Sequence, residues 1–161
     1  MNEAIDNARP VTAPKNIVPA SVDDKGRVKL PRPVKEYLLS LDDDRFWVTT
    51  LDLRMIRIYT MASWERNEAI LESDTEDIEG AQDVLFIARY YGGEASIDRQ
   101  GRALLPAELR RLLKVENQTL WIERDKDHLN LFGKEIYEEK RRRAMNNLTE
   151  KLRRQEKRGL K

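Results

Sequence analysis

The sequence predicts an α+β protein built from two copies of one unit, each a β-β-α-β-β run closed by a helix, with the two copies sharing a core. Three observations predict this. The stretch VDDKGRVKLP at 22–31 returns as IDRQGRALLP at 97–106, 75 residues later. The match extends without a gap, VDDKGRVKLPRPVKEYLL over IDRQGRALLPAELRRLLK. Downstream, FWVTT (46–50) aligns with LWIER (120–124), MIRIY (55–59) with HLNLF (128–132), and Trp64 with Tyr137, the offset drifting only to 73. Two copies are too few for a solenoid, so the repeat predicts an internal pseudo-dimer.

Each element follows from local chemistry. Ser21-Val22 and Ser96-Ile97 end short strands. Asp23 and Asp98 then open Asp-x-x-Gly turns, in which the carboxylate accepts backbone N–H bonds and Gly26 or Gly101 supplies a positive φ. The next strand alternates in the first copy, with Val28 and Leu30 on one face and Arg27 and Lys29 on the other. In the second copy Leu104 stands where Lys29 stood, which makes that face less basic. Pro31 and Pro106 suit the first turn of a helix. Val34, Tyr37 and Leu38, and Leu109, Leu112 and Leu113, give two short helices their i, i+3, i+4 apolar spacing. An extra proline, Pro33, is expected to shorten the first. Two more strands follow in each copy, turning at Asp52 and at Asp125-Lys126-Asp127. Phe46, Trp47, Trp121 and Phe132 lie in these strands as core residues.

The joining segment LESDTEDIEGAQDV (71–84) has six acids and no base and reads as a solvated linker or a weak helix, with Gly80 and the lack of a periodic apolar face favouring the linker. VLFIARYYGG (84–93) reads as a helix ending near Gly92-Gly93. The expected organisation is a flexible N-terminal tail (1–17), a first unit (18–66), a linker and helix (67–92), a second unit (93–140) and a basic, protruding helical tail (141–161). Net charge is +1 over 161 residues, but residues 134–161 hold eleven bases against five acids. That asymmetry fits contact with nucleic acid or with an acidic neighbouring subunit, or else a solvated helix.

These residues resemble the MraZ family of bacterial regulators of the division and cell-wall gene cluster. The resemblance rests on the doubled Asp-x-x-Gly-Arg turn with its Pro-led helix, on Trp64-Glu65, and on ARYYGGEASID, and it covers roughly residues 18–140. It implies an AbrB/SpoVT-type fold, in which paired β-hairpin units interlock into a barrel. It also implies a homo-oligomeric ring that binds double-stranded DNA at short promoter direct repeats and represses its own operon. The family's motif Asp and Arg carry over to Asp23 and Arg27 and to Asp98 and Arg102. DNA contact falls on Lys25, Arg27, Lys29 and Arg102, with Asp23, Gly26, Asp98 and Gly101 building the turns. Arg27, between two lysines, is the first candidate reader. Arg102, beside Gln100 and Leu104, leans toward bracing or a subunit interface. Each arginine also stands four residues from an Asp it can brace.

Other function classes find little support. No nucleophile–base pair, metal cluster or phosphate-cradling glycine loop suggests an enzyme, a cofactor or a small-molecule substrate. His128 stands alone, and with no cysteine there is no thiolate metal site. No apolar run nears the roughly 20 residues a membrane span needs. The N-terminus has no secretory pattern, and a cytoplasmic, nucleoid-associated protein is the economical expectation. An AbrB-like antitoxin, binding DNA and a toxin partner, is the alternative. The internal duplication argues against it.

Overall fold

A computed structural model describes residues 11–161, and residues 1–10 of the expected N-terminal tail lie outside the described range. The first copy contributes β1 (Val18–Val22), β2 (Arg27–Lys29), α1 (Arg32–Leu39), β3 (Arg45–Thr49), β4 (Ile56–Thr60) and α2 (Met61–Ser73). After α3 (Ile78–Tyr91), the second supplies β5 (Gly93–Ser96), β6 (Arg102–Leu104), α4 (Ala107–Leu113), β7 (Thr119–Asp125), β8 (His128–Phe132) and α5 (Lys134–Met145), and α6 (Leu148–Lys157) ends the chain. The order β-β-α-β-β-α is present twice, as the repeat predicts.

The copies interlock. The strands form one antiparallel sheet in the order β5-β3-β4-β8-β7-β1-β2-β6, so each copy's first strand pairs with the other copy's third. An isolated bridge, Ile97↔Ala103, links the two ends into a nearly closed barrel. A pseudo-twofold axis runs through it. At one end Val28 faces its own repeat equivalent Ala103, with Arg27↔Leu104 and Lys29↔Arg102 on either side. At the other, Ile56↔Leu131 and Ile58↔Leu129 are exchanged by the same symmetry. The symmetry breaks where β1 and β2 pair through Ser21↔Lys29 and Val22↔Val28, because the second copy keeps only the equivalent of the latter.

The interior is drawn equally from both copies. Val28, Val34, Phe46, Ile56, Ile58, Leu105, Leu109, Leu120, Ile122, Leu129 and Leu131 are all buried in one cluster. Val34 and Leu109 lock the two short helices over the barrel ends, as their spacing predicts. Of the four strand aromatics, Phe46 and Phe132 are buried, whereas Trp47 and Trp121 are half-buried on the outer side. Each stacks there on the following helix, Trp47 on Trp64 at 5.7 Å and Trp121 on Tyr137 at 4.3 Å between centroids. Ala13, in the segment before β1, is also buried against the core.

Three local expectations differ from the structure. Pro33 does not shorten its helix: α1 has eight residues and α4 seven. Pro31 is the residue before the first turn and Pro33 lies within that turn, where the missing N–H has no intrahelical partner to lose. The acidic run follows the helix alternative over most of its length and not the favoured solvated linker. It holds the end of α2, a tight turn and the start of α3. Asp74 accepts the N–H groups of Glu76 and Asp77 at 2.8 and 3.0 Å, and Asp77 caps α3 by accepting the N–H of Gly80 at 3.0 Å. Ala81, Leu85 and Ala88 form the buried face of α3, a stripe made inconspicuous by its small residues. Arg89 then ties α3 to Glu68 and Glu72 of α2. The C-terminal segment is likewise two helices, broken where Asn147 takes φ 53°.

Candidate nucleic-acid interface

The two Asp-x-x-Gly-Arg turns are built alike. Asp23 Oδ1 accepts the backbone N–H of Lys25 at 3.0 Å and of Arg27 at 2.9 Å, while Oδ2 accepts Arg27 Nε at 2.6 Å. Asp98 does the same for Gln100 and Arg102, at 2.9 and 2.9 Å, with Arg102 Nε at 3.0 Å. Gly26 and Gly101 have φ of +79° and +76°, a left-handed conformation that costs a side-chain-bearing residue strain. Both arginines therefore do brace their own Asp. Each uses Nε to do so, and the outer nitrogens of Arg27 make no further hydrogen bond among the described residues.

Backbone bonds cross between the turns, Leu30 N–H donating to Gly101 O and Leu105 N–H to Gly26 O, both at 3.0 Å. The pairing of β2 with β6 turns Val28 and Ala103 into the core and Arg27, Lys29, Arg102 and Leu104 outward. Arg102 Nη1 also lies 3.7 Å from Asp23 Oδ2, so the second arginine reaches the first turn's carboxylate. Arg27, Lys29 and Arg102 thus share one outward face with Leu104, 53% exposed, and exposed Lys25 stands in the turn that leads into it.

Two basic residues behind the turns escape a motif reading. Arg110 of α4 lies over Gly26 and donates to Lys25 O at 2.8 Å and Leu105 O at 3.1 Å. Its repeat equivalent, Lys35 of α1, lies over Gly101. Each copy's helix thus supports the other copy's turn. The signal was a basic residue at the same aligned position in both helices. Arg99 is a third, standing in the second turn where the first has Asp24. With it, residues 23–29 and 98–104 each carry +1, so the poorer basicity expected of the second turn is offset.

Gly26→Ala is expected to be the costlier of the two glycine changes. Both meet a left-handed φ, about 1–2 kcal/mol for an L residue. At Gly26 the added Cβ would also overlap Arg110 Cδ and displace a side chain held by two hydrogen bonds, for a total of about 2–3 kcal/mol. At Gly101 it meets only Lys35 Cδ at 3.2 Å, which can swing aside. Denaturant unfolding of the two variants checks the ranking.

The turn carboxylates also set a pH dependence. The Arg27 N–H bond chiefly holds Asp23 below the ordinary value of 3.8, aided by its side chain, and Arg102 does the same for Asp98. A carboxylate depressed in the folded state contributes stability that is complete above its unfolded value and lost as pH falls through the folded one. Melting temperature is therefore expected to fall below about pH 4, with a shallower fall in the Asp23→Asn, Asp98→Asn double variant. Equal acid slopes in melts from roughly pH 3 to 7 would contradict this assignment.

His128, the lone histidine, packs against Tyr59, faces Asn130 Oδ1 at 3.1 Å and lies beside Asp125 and Asp127 of the β7–β8 turn. No helix among the described residues is long and apolar enough to cross a membrane.

No family model matches the chain. Curated relatives do. It is 33% identical over 101 residues to a protein of Koribacter versatilis named transcriptional regulator MraZ, covering 62% of this chain and 69% of the relative. A protein of the same name from Acidobacterium capsulatum is 34% identical over 97 residues, covering 60% and 66%. Another, from Thermoanaerobacter pseudethanolicus, is 31% identical over 121 residues, covering 74% and 80%. With the doubled turn, the interlocked barrel and these relatives together, the chain belongs to the MraZ family, whose curated members here are named transcriptional regulators.

Proposed function

We propose that this protein is a sequence-specific DNA-binding regulator that acts as a ring oligomer on promoter direct repeats and represses its own division and cell-wall gene cluster. One observation supports the reading: the β2–β6 pairing joins the two motif turns through an outward face bearing Arg27, Lys29 and Arg102, with exposed Lys25 in the adjoining turn. Lysines make point-charge contacts to phosphate, whereas a braced arginine presents a fixed fork suited to a base edge or a phosphate. In this reading Lys25 and Lys29 neutralise phosphates, Arg27 reads or clamps, and Arg102 steadies Asp23 from the second turn while remaining within reach of DNA.

A chain of net charge +1 binds DNA weakly alone. Several copies in a ring, each presenting one such face, engage successive repeats intramolecularly, which adds roughly 10²- to 10⁴-fold in avidity. Direct repeats suit neighbours related by rotation in a ring. The proposed location is accordingly the nucleoid. An electrophoretic shift with the DNA upstream of the protein's own gene, against random duplex of equal length, tests the reading. Preferential retardation of the upstream fragment supports it, and equal retardation of both contradicts it.

A further inference from the structure

The pseudo-twofold axis that matches the strands also relates the helices laid on them. α2 rests on β3 and β4 and is followed by α3, while α5 rests on β7 and is followed by α6. The two helical arms differ in one respect that the repeat does not require. Residues 61–91 hold eight acids and two bases, net −6, and residues 134–161 hold eleven bases and five acids, net +6.

They also differ in how they are finished. α3 packs onto α2 through Ala81, Leu85 and Ala88, and Trp64 beneath is 2% exposed. α6 gives α5 no such cover: neither helix has a buried residue, and Tyr137, the equivalent of Trp64, stays half-buried. Between α5 and the barrel runs a groove of about 580 Å³. Ile17, Phe132, Tyr137 and Ala144 line it, with Glu123 paired to Lys140 at 3.9 Å, and Arg141, Arg143 and Lys151 leave it net basic. On the acidic arm, α3 carries an unpartnered ledge in which Phe86, 65% exposed, stacks on Tyr90, 52% exposed, at 6.0 Å. Glu79 and Asp83 flank that ledge on the same side of the helix, and among the described residues neither has an ion pair.

We infer that the α3 ledge of one copy docks in the α5 groove of the next. The occupant is a second copy of this chain, because the chain itself carries both complementary halves: an aromatic helix face with an acidic flank, and an apolar groove with a basic rim. Helix-in-groove contacts use such aromatic anchors, and opposite charges at the rim speed encounter and fix register. The contact joins different surfaces on the two partners, so it passes head to tail from copy to copy. This inference rests on the oligomer reading above and gives it a specific contact.

The test uses two full-length variants at exposed positions, Phe86→Glu on the ledge and Ala144→Glu in the groove, followed by sedimentation velocity. Arg141→Glu replaces Ala144→Glu if circular-dichroism melting shows the latter to be destabilised. Wild type is expected to sediment as a multimer of the 18.9 kDa chain, and each variant to self-associate at least tenfold more weakly. Each variant keeps one good half, so an equimolar mixture is expected to form 1:1 dimers and nothing larger. Variants that assemble like wild type overturn this contact and leave the oligomer reading standing. A monomeric wild type overturns both. Variants that stay monomeric even when mixed overturn the head-to-tail pairing. A groove variant that loses DNA affinity but assembles normally identifies the groove as a nucleic-acid surface, which also overturns the proposal.

Discussion

Trp64→Ala is expected to lower stability by about 3–5 kcal/mol, the largest loss from any single truncation considered for this chain. Trp64 is nearly fully buried outside the barrel proper, in a second cluster with Tyr59, Leu85 and Ala88. Its indole stacks on Trp47 with planes 8° apart and tilts against Tyr59 at 5.4 Å. Removing it strips one layer from a three-ring stack and undermines α3, whose Leu85 rests in the same cluster. The cavity cannot refill easily, because Arg89 holds α2 and α3 together through Glu68 and Glu72. Tyr137→Ala, at the equivalent place in the second copy, is expected to cost less, since Tyr137 is half-buried and α5 carries no covering helix. Guanidinium unfolding of both variants checks the order. A Trp64 cost no greater than that of Tyr137 would mean that the second cluster contributes little to the fold.

The second large effect is on DNA. Lys25→Ala with Lys29→Ala is expected to weaken binding by more than roughly fiftyfold at about 0.1 M salt while leaving the melting temperature near that of wild type. Releasing about 0.9 counterion per phosphate contact makes each contact worth roughly eightfold at that salt, and two lysines change in every subunit engaged. Stability should hold because both side chains point away from the core and neither has an ion pair among the described residues. Arg27→Ala is a poorer probe taken alone. It removes the Nε bond to Asp23 as well as any DNA contact, so its affinity loss is mixed with a loosened turn. Filter binding together with thermal melts of wild type and the two variants separates these contributions. Undiminished affinity in the lysine double variant would remove the β2–β6 face from the interface.

Much of this architecture is legible in the sequence because its parts are local. Asp, Gly and Pro recur at fixed offsets since each turn needs the same carboxylate acceptor, the same positive φ and the same helix start. The cross-copy pairing of β1 with β7 and of β5 with β3 is not legible in that way. Which third strand a first strand meets depends on how two apolar faces close over one core, and both pairings satisfy the same local pattern. Arg110 over Gly26 and Lys35 over Gly101 are hidden for the same reason, since each links residues that meet only after the copies interlock. The helix pair at 61–91 is obscured by composition: acids and Gly80 dominate the run, while the buried stripe of α3 uses two alanines in three positions. Within the candidate site, the register of β2 on β6 puts Arg27, Lys29 and Arg102 on one outward side. Leu104 leaves the β6 side of the face less basic than the β2 side, while Arg99, opposite Asp24 and outside the shared motif letters, evens the net charge of the two turns.

The central claim is that the paired turns form an electrostatic DNA-binding face, and the salt dependence of binding tests it most directly. The logarithm of affinity for the upstream duplex, measured against the logarithm of potassium chloride concentration, gives a slope for wild type and one for the Lys25→Ala, Lys29→Ala variant. The variant's slope is expected to be shallower by about 1.8 for each subunit engaged, the release lost with two phosphate contacts. Equal slopes, in variants that remain folded and assembled, would contradict the claim.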